Sequence, residues 1–113
     1  KSTIRYMGNN GRATVNTTQI IADGLDFDFD KQITGLQVWN VILANLPGLT
    51  VVGSMKHELY PQGFTGAILL ADGHIGVQYD PGHVNLTICS NQGSNAHEKL
   101  RSTLWVAFDE IEP

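Results

Sequence analysis

Between residues 49 and 89 the chain carries four consecutive strand-like runs, broken only at Pro61-Gln62-Gly63, Asp72-Gly73 and Asp80-Pro81-Gly82. A period of two is that of a strand buried on one face, and Pro, Gly and Asp at the breaks are turn chemistry. Joins this short return each strand beside the last, which predicts an antiparallel sheet. In the first run Leu49, Val51, Gly53, Met55, His57 and Leu59 alternate with Thr50, Val52, Ser54, Lys56, Glu58 and Tyr60. In the second, Phe64, Gly66, Ile68 and Leu70 share a face; in the third, Ile75 and Val77 lie opposite His74, Gly76 and Gln78. In the fourth, Val84, Leu86 and Ile88 point to the core, and Asn85, Thr87 and Cys89 point away from it.

Helical periods flank these runs. Ile33, Leu36, Val38, Trp39, Val41, Ile42, Leu43 and Leu46 fit a helix over residues 31–45, with Asp30 as N-cap and Pro47-Gly48 as its stop. Ala96, Leu100, Leu104, Ala107, Phe108 and Ile111 recur at helical spacing after Ser94 or Asn95, either a fair N-cap. Residues 18–23 read as a further strand closed by Gly24, and the acidic, aromatic stretch after it as a turn that caps the first helix. Residues 1–18, polar and rich in Gly and Asn, show no period and read as a lead-in to a single domain over 19–113.

The order β-α-β-β-β-β-α predicts an α+β fold, a two-layer α/β sandwich with a mainly antiparallel sheet of about four to five strands and both helices on one face. The face carrying Met55, His57, Leu59, His74, Gln78, Asn85, Thr87 and Cys89 then has no element left to cover it. A second protomer, in a homodimer or higher homo-oligomer, is the simplest cover, and a mixed surface of this kind also suits a small ligand.

Composition narrows the function classes. Seven Lys and Arg against eleven Asp and Glu give a formal net charge of -4, and the scattered basic residues leave no electrostatic footprint for nucleic acid. Apolar stretches fall far short of the ~20 residues a membrane-spanning helix needs, and no export-signal pattern opens the sequence. The lone Cys89 excludes an intrachain disulfide framework and suits a reducing cytoplasm. His57, His74, His83 and His97 lack the spacing of a metal site, and none is expected.

Asp26, Asp28 and Asp30 open like a calcium loop, but Lys31 stands where glycine is needed and Gln37 where the bidentate Glu belongs, so helix capping is the better account. Gly8 and Gly11 lack the Lys-Ser/Thr of a phosphate loop, and Ser54, Ser90 and Ser94 lack a nucleophile elbow. Cys89 has two readings: a small buried hydrophobe, or a thiol on the polar face with His74 as its neighbour.

The stretch VVGSMKHELYPQGFTGAILLADGHIGV, residues 51–77, resembles the central region of the bacterial and archaeal S-adenosylmethionine decarboxylases. That pattern has a His-containing strand ending near Pro-Gln-Gly, then Thr/Ser-Gly, then an apolar strand ending in Ala-Glu-Ser-His-Ile, and later a strand ending in Thr-Cys-Gly. Here His57, Pro61-Gln62-Gly63, Thr65-Gly66, Ala71-Asp72-Gly73-His74-Ile75 and Cys89 stand in those places, and a weaker likeness covers most of residues 19–108. The resemblance implies a sandwich whose protomers pair closely, and a decarboxylase of polyamine synthesis whose pyruvoyl group arises by self-cleavage at a serine.

The departures fall at the chemistry. Gly73 replaces the processing serine, and without a hydroxyl no pyruvoyl group forms, so no cofactor is expected. Asp72 replaces the preceding Glu, and Gln78 replaces the assisting histidine with a group that is neither acid nor base near neutral pH. Tyr79-Asp80-Pro81-Gly82 replaces a Thr-aromatic-Pro-Glu turn, while Cys89 aligns with the proton-donor cysteine but is followed by Ser90 instead of Gly. The expectation is a non-processing relative that binds S-adenosylmethionine or a related nucleoside in a non-catalytic or regulatory role, through His57, Tyr60, Asp72, His74, Asn85 and Thr87. Residual catalysis would rest on Cys89, His74 and Asp72. Two alternatives are a pyruvoyl-independent lyase or hydrolase acting on S-adenosylmethionine, with Asp72, Asp80 or Tyr79 as base, and a decarboxylase whose processing is blocked by an introduced Gly73.

Overall fold

The computed structural model of the protein describes residues 4–15, 19–29, 33–59, 61–90 and 94–111, with side chains from residue 24 onward except those of Ser94 and Asn95. Asp30 and Tyr60, and the capping side chains of Ser94 and Asn95, lie outside the described residues. The elements are β1 (Ile4–Val15), β2 (Gln19–Phe29), α1 (Gly35–Ala44), β3 (Val51–Leu59), β4 (Gly63–Leu70), β5 (Gly73–Asp80), β6 (His83–Ser90) and α2 (Ser94–Ile111). The strands form one sheet in the order β1-β2-β6-β5-β4-β3, with every neighbouring pair antiparallel. The α+β class, the four consecutive strands and the two helices are as the alternation and helical spacing require. Between β5 and β6, Pro81 followed by Gly82 at φ 89° makes the turn, since a positive φ at its third position suits glycine.

Three features differ from the sequence reading. The sheet has six strands, because residues 4–15, within the segment read as lead-in, pair with β2 as β1. Register shifts between Tyr6 and Gly8, Asn9 and Arg12, and Ala13 and Thr14 interrupt that pairing. Each bulge resets which face a side chain meets, so no period of two survives in the sequence. Second, β2 does not close at Gly24 but runs to Phe29, burying Leu25, Phe27 and Phe29 in alternation. The acidic stretch is therefore strand, not a capping turn.

Third, α1 starts at Gly35, later than expected, because Thr34 caps it. The Thr34 hydroxyl accepts from the Gln37 amide at 3.1 Å, and Gln37 Oε1 accepts from the Thr34 amide at 2.9 Å. This reciprocal pair is a capping box, and it satisfies two amides that the helix itself leaves without partners.

The core lies on one face of the sheet. Phe27 of β2, Leu86 and Ile88 of β6, Ile75 of β5 and Ile68 of β4 pack with Val38 and Ile42 of α1 and Leu100, Leu104 and Phe108 of α2. Phe108 meets Phe27 and Phe29 edge-on, with ring centroids 5.3 and 5.2 Å apart. Trp39 sets α1 over β4: its ring stands edge-on to Phe64 and lies against Gly66, where a Cβ would come within 2.6 Å of it. The opposite face carries no described element, and apart from Asp26 its described side chains are exposed or half-buried.

Candidate functional site

Strand register turns the open face into rows, because residues opposite one another on antiparallel strands share a face. One row reads His57, Thr65, Gln78, Asn85, Asp26 from β3 to β2. The next reads Met55, Ala67, Gly76, Thr87, Gly24. A third holds Leu69, His74 and Cys89. Alternate residues along a strand are roughly 7 Å apart, so the two outer rows stand about 13 Å from each other. Between them the floor is made largely of small residues.

Gly76 at the centre of that floor has no internal reason to be glycine. A Cβ built there meets nothing within 4 Å, and among the described residues the glycines with positive φ are Gly48 and Gly82. Gly73, three residues earlier on the same strand, is the opposite case. A Cβ there would lie 2.9 Å from both the Cys89 carbonyl carbon and the Ser90 Cα, and closer still to the Cys89 carbonyl oxygen. A pyruvoyl group derives from a serine side chain, and this backbone has neither that side chain nor room for it, so the residues present do not fit the group.

At the β2 end of the face a polar cluster joins two strands. Asp26 is buried, with its residue 4% exposed, and its Oδ1 accepts from Asn85 Nδ2 at 2.9 Å and faces His83 Nε2 at 3.1 Å. His83 Nδ1 lies 2.7 Å from Asp28 Oδ1, so one imidazole spans two carboxylates. A neutral ring has one N–H and serves one carboxylate, whereas the protonated ring serves both. Thr87 Oγ1 in turn donates to Asn85 Oδ1 at 3.4 Å.

Of the expected ligand residues, His57, His74, Asn85 and Thr87 do share this face, with His74 directly across from the half-buried free thiol of Cys89. Gln78 stands across from Asn85, whose amide is engaged with Asp26. Asp72 occupies the β4–β5 turn beside Gly73, and Tyr60 lies outside the described residues. Tyr79 does not belong here: it is buried on the helical side, stacked on Phe64, and donates to the Ile33 carbonyl at 2.8 Å. Its pKa is raised above 10.0, chiefly by burial and also by Asp80, against a backbone hydrogen bond at Gly82. It is held as a neutral donor and is no base.

Ser90 and His97 form a second polar contact, Oγ to Nε2 at 2.9 Å, but both are buried between β6 and α2 and face neither surface. On the helical side, an open groove of about 400 Å³ is lined by Asn45, Ser102, Thr103, Val106, Ala107 and Glu110. It contains none of the expected site residues. Among the described residues no group of three or more His, Cys, Asp or Glu is placed to hold a metal ion, and no helix is long and apolar enough to cross a membrane.

The Asp26–His83–Asp28 cluster was missed by sequence reasoning. Its one local signal was the alternation Leu25, Asp26, Phe27, Asp28, Phe29, a strand period that places both acids on the face opposite the aromatic rings. Comparison with protein-family models, with curated proteins and with solved structures gives no match.

Proposed function

We propose that the chain is a divergent S-adenosylmethionine decarboxylase-like protein that binds S-adenosylmethionine or a related nucleoside on its open sheet face, without a pyruvoyl group and without turning the ligand over. The observation that carries this reading is the small-residue row centred on Gly76, between the polar row of His57, Thr65, Gln78, Asn85 and Asp26 and the mixed row of Leu69, His74 and Cys89. A mid-strand glycine costs about 0.5–1 kcal/mol relative to alanine. With no turn or internal neighbour requiring it, the glycine fits a place where something external approaches the backbone. Thr65, Gln78, His57 and His74 supply hydrogen-bonding groups around that floor, suited to a planar heterocycle and its sugar hydroxyls. Asp28 and Asp72 place carboxylates at the margins, complementary to a ligand with a sulfonium and an ammonium group. The absence of room at Gly73 supports the expectation that no self-processing occurs.

A second reading, a pyruvoyl-independent lyase or hydrolase, is favoured by one observation, the base-capable Asp26–His83–Asp28 cluster at the end of the same face. A bound sulfonium is already electrophilic, so positioning and one general base suffice for its breakage.

The test is titration calorimetry of the purified chain with S-adenosylmethionine, its decarboxylated form and polyamines, followed by intact mass and separation of small-molecule products. Binding with unchanged ligand and an uncut chain supports the first reading; consumed S-adenosylmethionine moves the assignment to the second. No binding of any of these probes overturns both. Gly73→Ser should destabilise the fold by about 1–3 kcal/mol through overpacking and remain a single chain. Its cleavage into two chains would restore the decarboxylase reading.

A further inference from the structure

The two outer edges of the sheet differ in a way that selects a partner. β1 is interrupted by three register shifts, and bulges spoil an edge as a template for another strand. β3 has one shift, between Val51 and Gly53, and then pairs with β4 without interruption over residues 53–59. No described strand lies along its outer side. It therefore offers a regular row of backbone donors and acceptors, flanked by Met55, which is 72% exposed. On the helical side of the strand, Lys56 and Glu58 form an ion pair, with the Lys56 ammonium 5.4 Å above the Phe64 ring.

We propose that β3 pairs antiparallel with β3 of a second copy of this chain, about a two-fold axis through His57, so that two sheets become one. Such an axis sets each residue before His57 against the residue equally far after it in the partner. Met55 then meets the partner's Leu59, apolar against apolar, and Lys56 meets the partner's Glu58, opposite charges in both directions. His57 meets its own counterpart. Neighbouring registers lose this match. Centring on Lys56 or on Glu58 puts like charges face to face, which is unfavourable, and centring on Met55 sets Lys56 against the partner's Ser54.

The helices leave room. α1 stands over β4 through Trp39 and Gly66, and two copies of β4 would be three strand spacings apart, roughly 14 Å. That exceeds the 8–10 Å at which helices pack. Edge pairing also leaves the open face clear and extends its rows across both copies, so the assembly is independent of which ligand binds there.

Sedimentation velocity on the full chain tests this, across a concentration series. A dimer is expected, weakened about tenfold or more by Lys56→Glu and similarly by Glu58→Lys, since each lines like charges along the seam. The double swap, Lys56→Glu with Glu58→Lys, restores opposite charges and should restore the dimer. As a second readout, His57→Cys in a Cys89→Ser background should form a symmetric disulfide dimer when an excess of a disulfide oxidant such as oxidised glutathione takes up the two electrons, because residues paired directly across strands have Cα atoms within disulfide reach. A chain monomeric at every concentration overturns the proposal. So does a dimer indifferent to the single reversals or unrestored by the swap, or a His57→Cys chain that never cross-links.

Discussion

Ile75 and Gly76 are adjacent on β5, yet one is sealed beneath α1 and α2 while the other opens onto empty space. The same contrast runs through the sheet: Leu86 and Ile88 are fully buried, whereas Thr87 between them is exposed. Strand pleating puts neighbours on opposite faces, but only a second layer decides which face becomes core. On the helical face each side chain answers to packing. On the open face, packing constrains little away from Asp26, so residue choice there reports on what the surface meets.

The largest expected effect breaks the packed side of this contrast. Phe108→Ala removes the ring that stands edge-on against Phe27 and Phe29. It should lower unfolding free energy by about 3–5 kcal/mol, read from the midpoint of urea denaturation. Thr87→Ala on the open face should stay within about 0.5 kcal/mol of the parent. Equal effects would mean that the open face is packed against something in solution.

How much of this was legible depends on where the information lies along the chain. β3 to β6 were readable because short runs of strand period are separated by turns rich in Pro, Gly and Asp. β1 was not, because bulges scramble its alternation. In β2 the alternation was present, but Asp26 and Asp28 suggested a cap, and the capping residue proved to be Thr34. The candidate cluster was less accessible still. Asp26 meets His83 and Asn85 from 57 and 59 positions away, a contact that exists only because β2 pairs with β6 across the intervening helix and three strands. Periodicity assigns faces, but it does not order the strands.

A smaller effect sharpens the contrast by testing a polar atom on the buried face. Tyr79→Phe deletes the hydrogen bond to the Ile33 carbonyl and should cost roughly 0.5–1.5 kcal/mol at neutral pH. Because burial holds the Tyr79 phenol above 10.0, its contribution is fully present below pH 10. Above that, the phenol of the unfolded chain ionises first, the unfolded state binds fewer protons, and stability falls as pH rises toward the raised folded value. Tyr79→Phe should make that alkaline fall shallower. Denaturant midpoints at about pH 8 and about pH 10.5 measure it, and parallel losses in parent and variant would place the Tyr79 phenol in solvent.

A substitution with little effect on stability is the most informative about the open face. Gly76→Val adds a side chain where a Cβ meets nothing within 4 Å, and a β-branched residue suits a strand better than glycine does. The fold should lose nothing, with a gain of up to about 1 kcal/mol. If the floor between the two outer rows is where a nucleoside lies, the same substitution fills it, and affinity for S-adenosylmethionine should drop at least about tenfold while the melting temperature holds or rises. Loss of affinity with retained stability separates use of the space from upkeep of the fold, which no substitution on the helical face can do, because there every added or removed atom changes both. Unchanged affinity in a stable Gly76→Val chain would move the ligand off this floor, and a destabilised chain would show that the space above Gly76 is already filled from within.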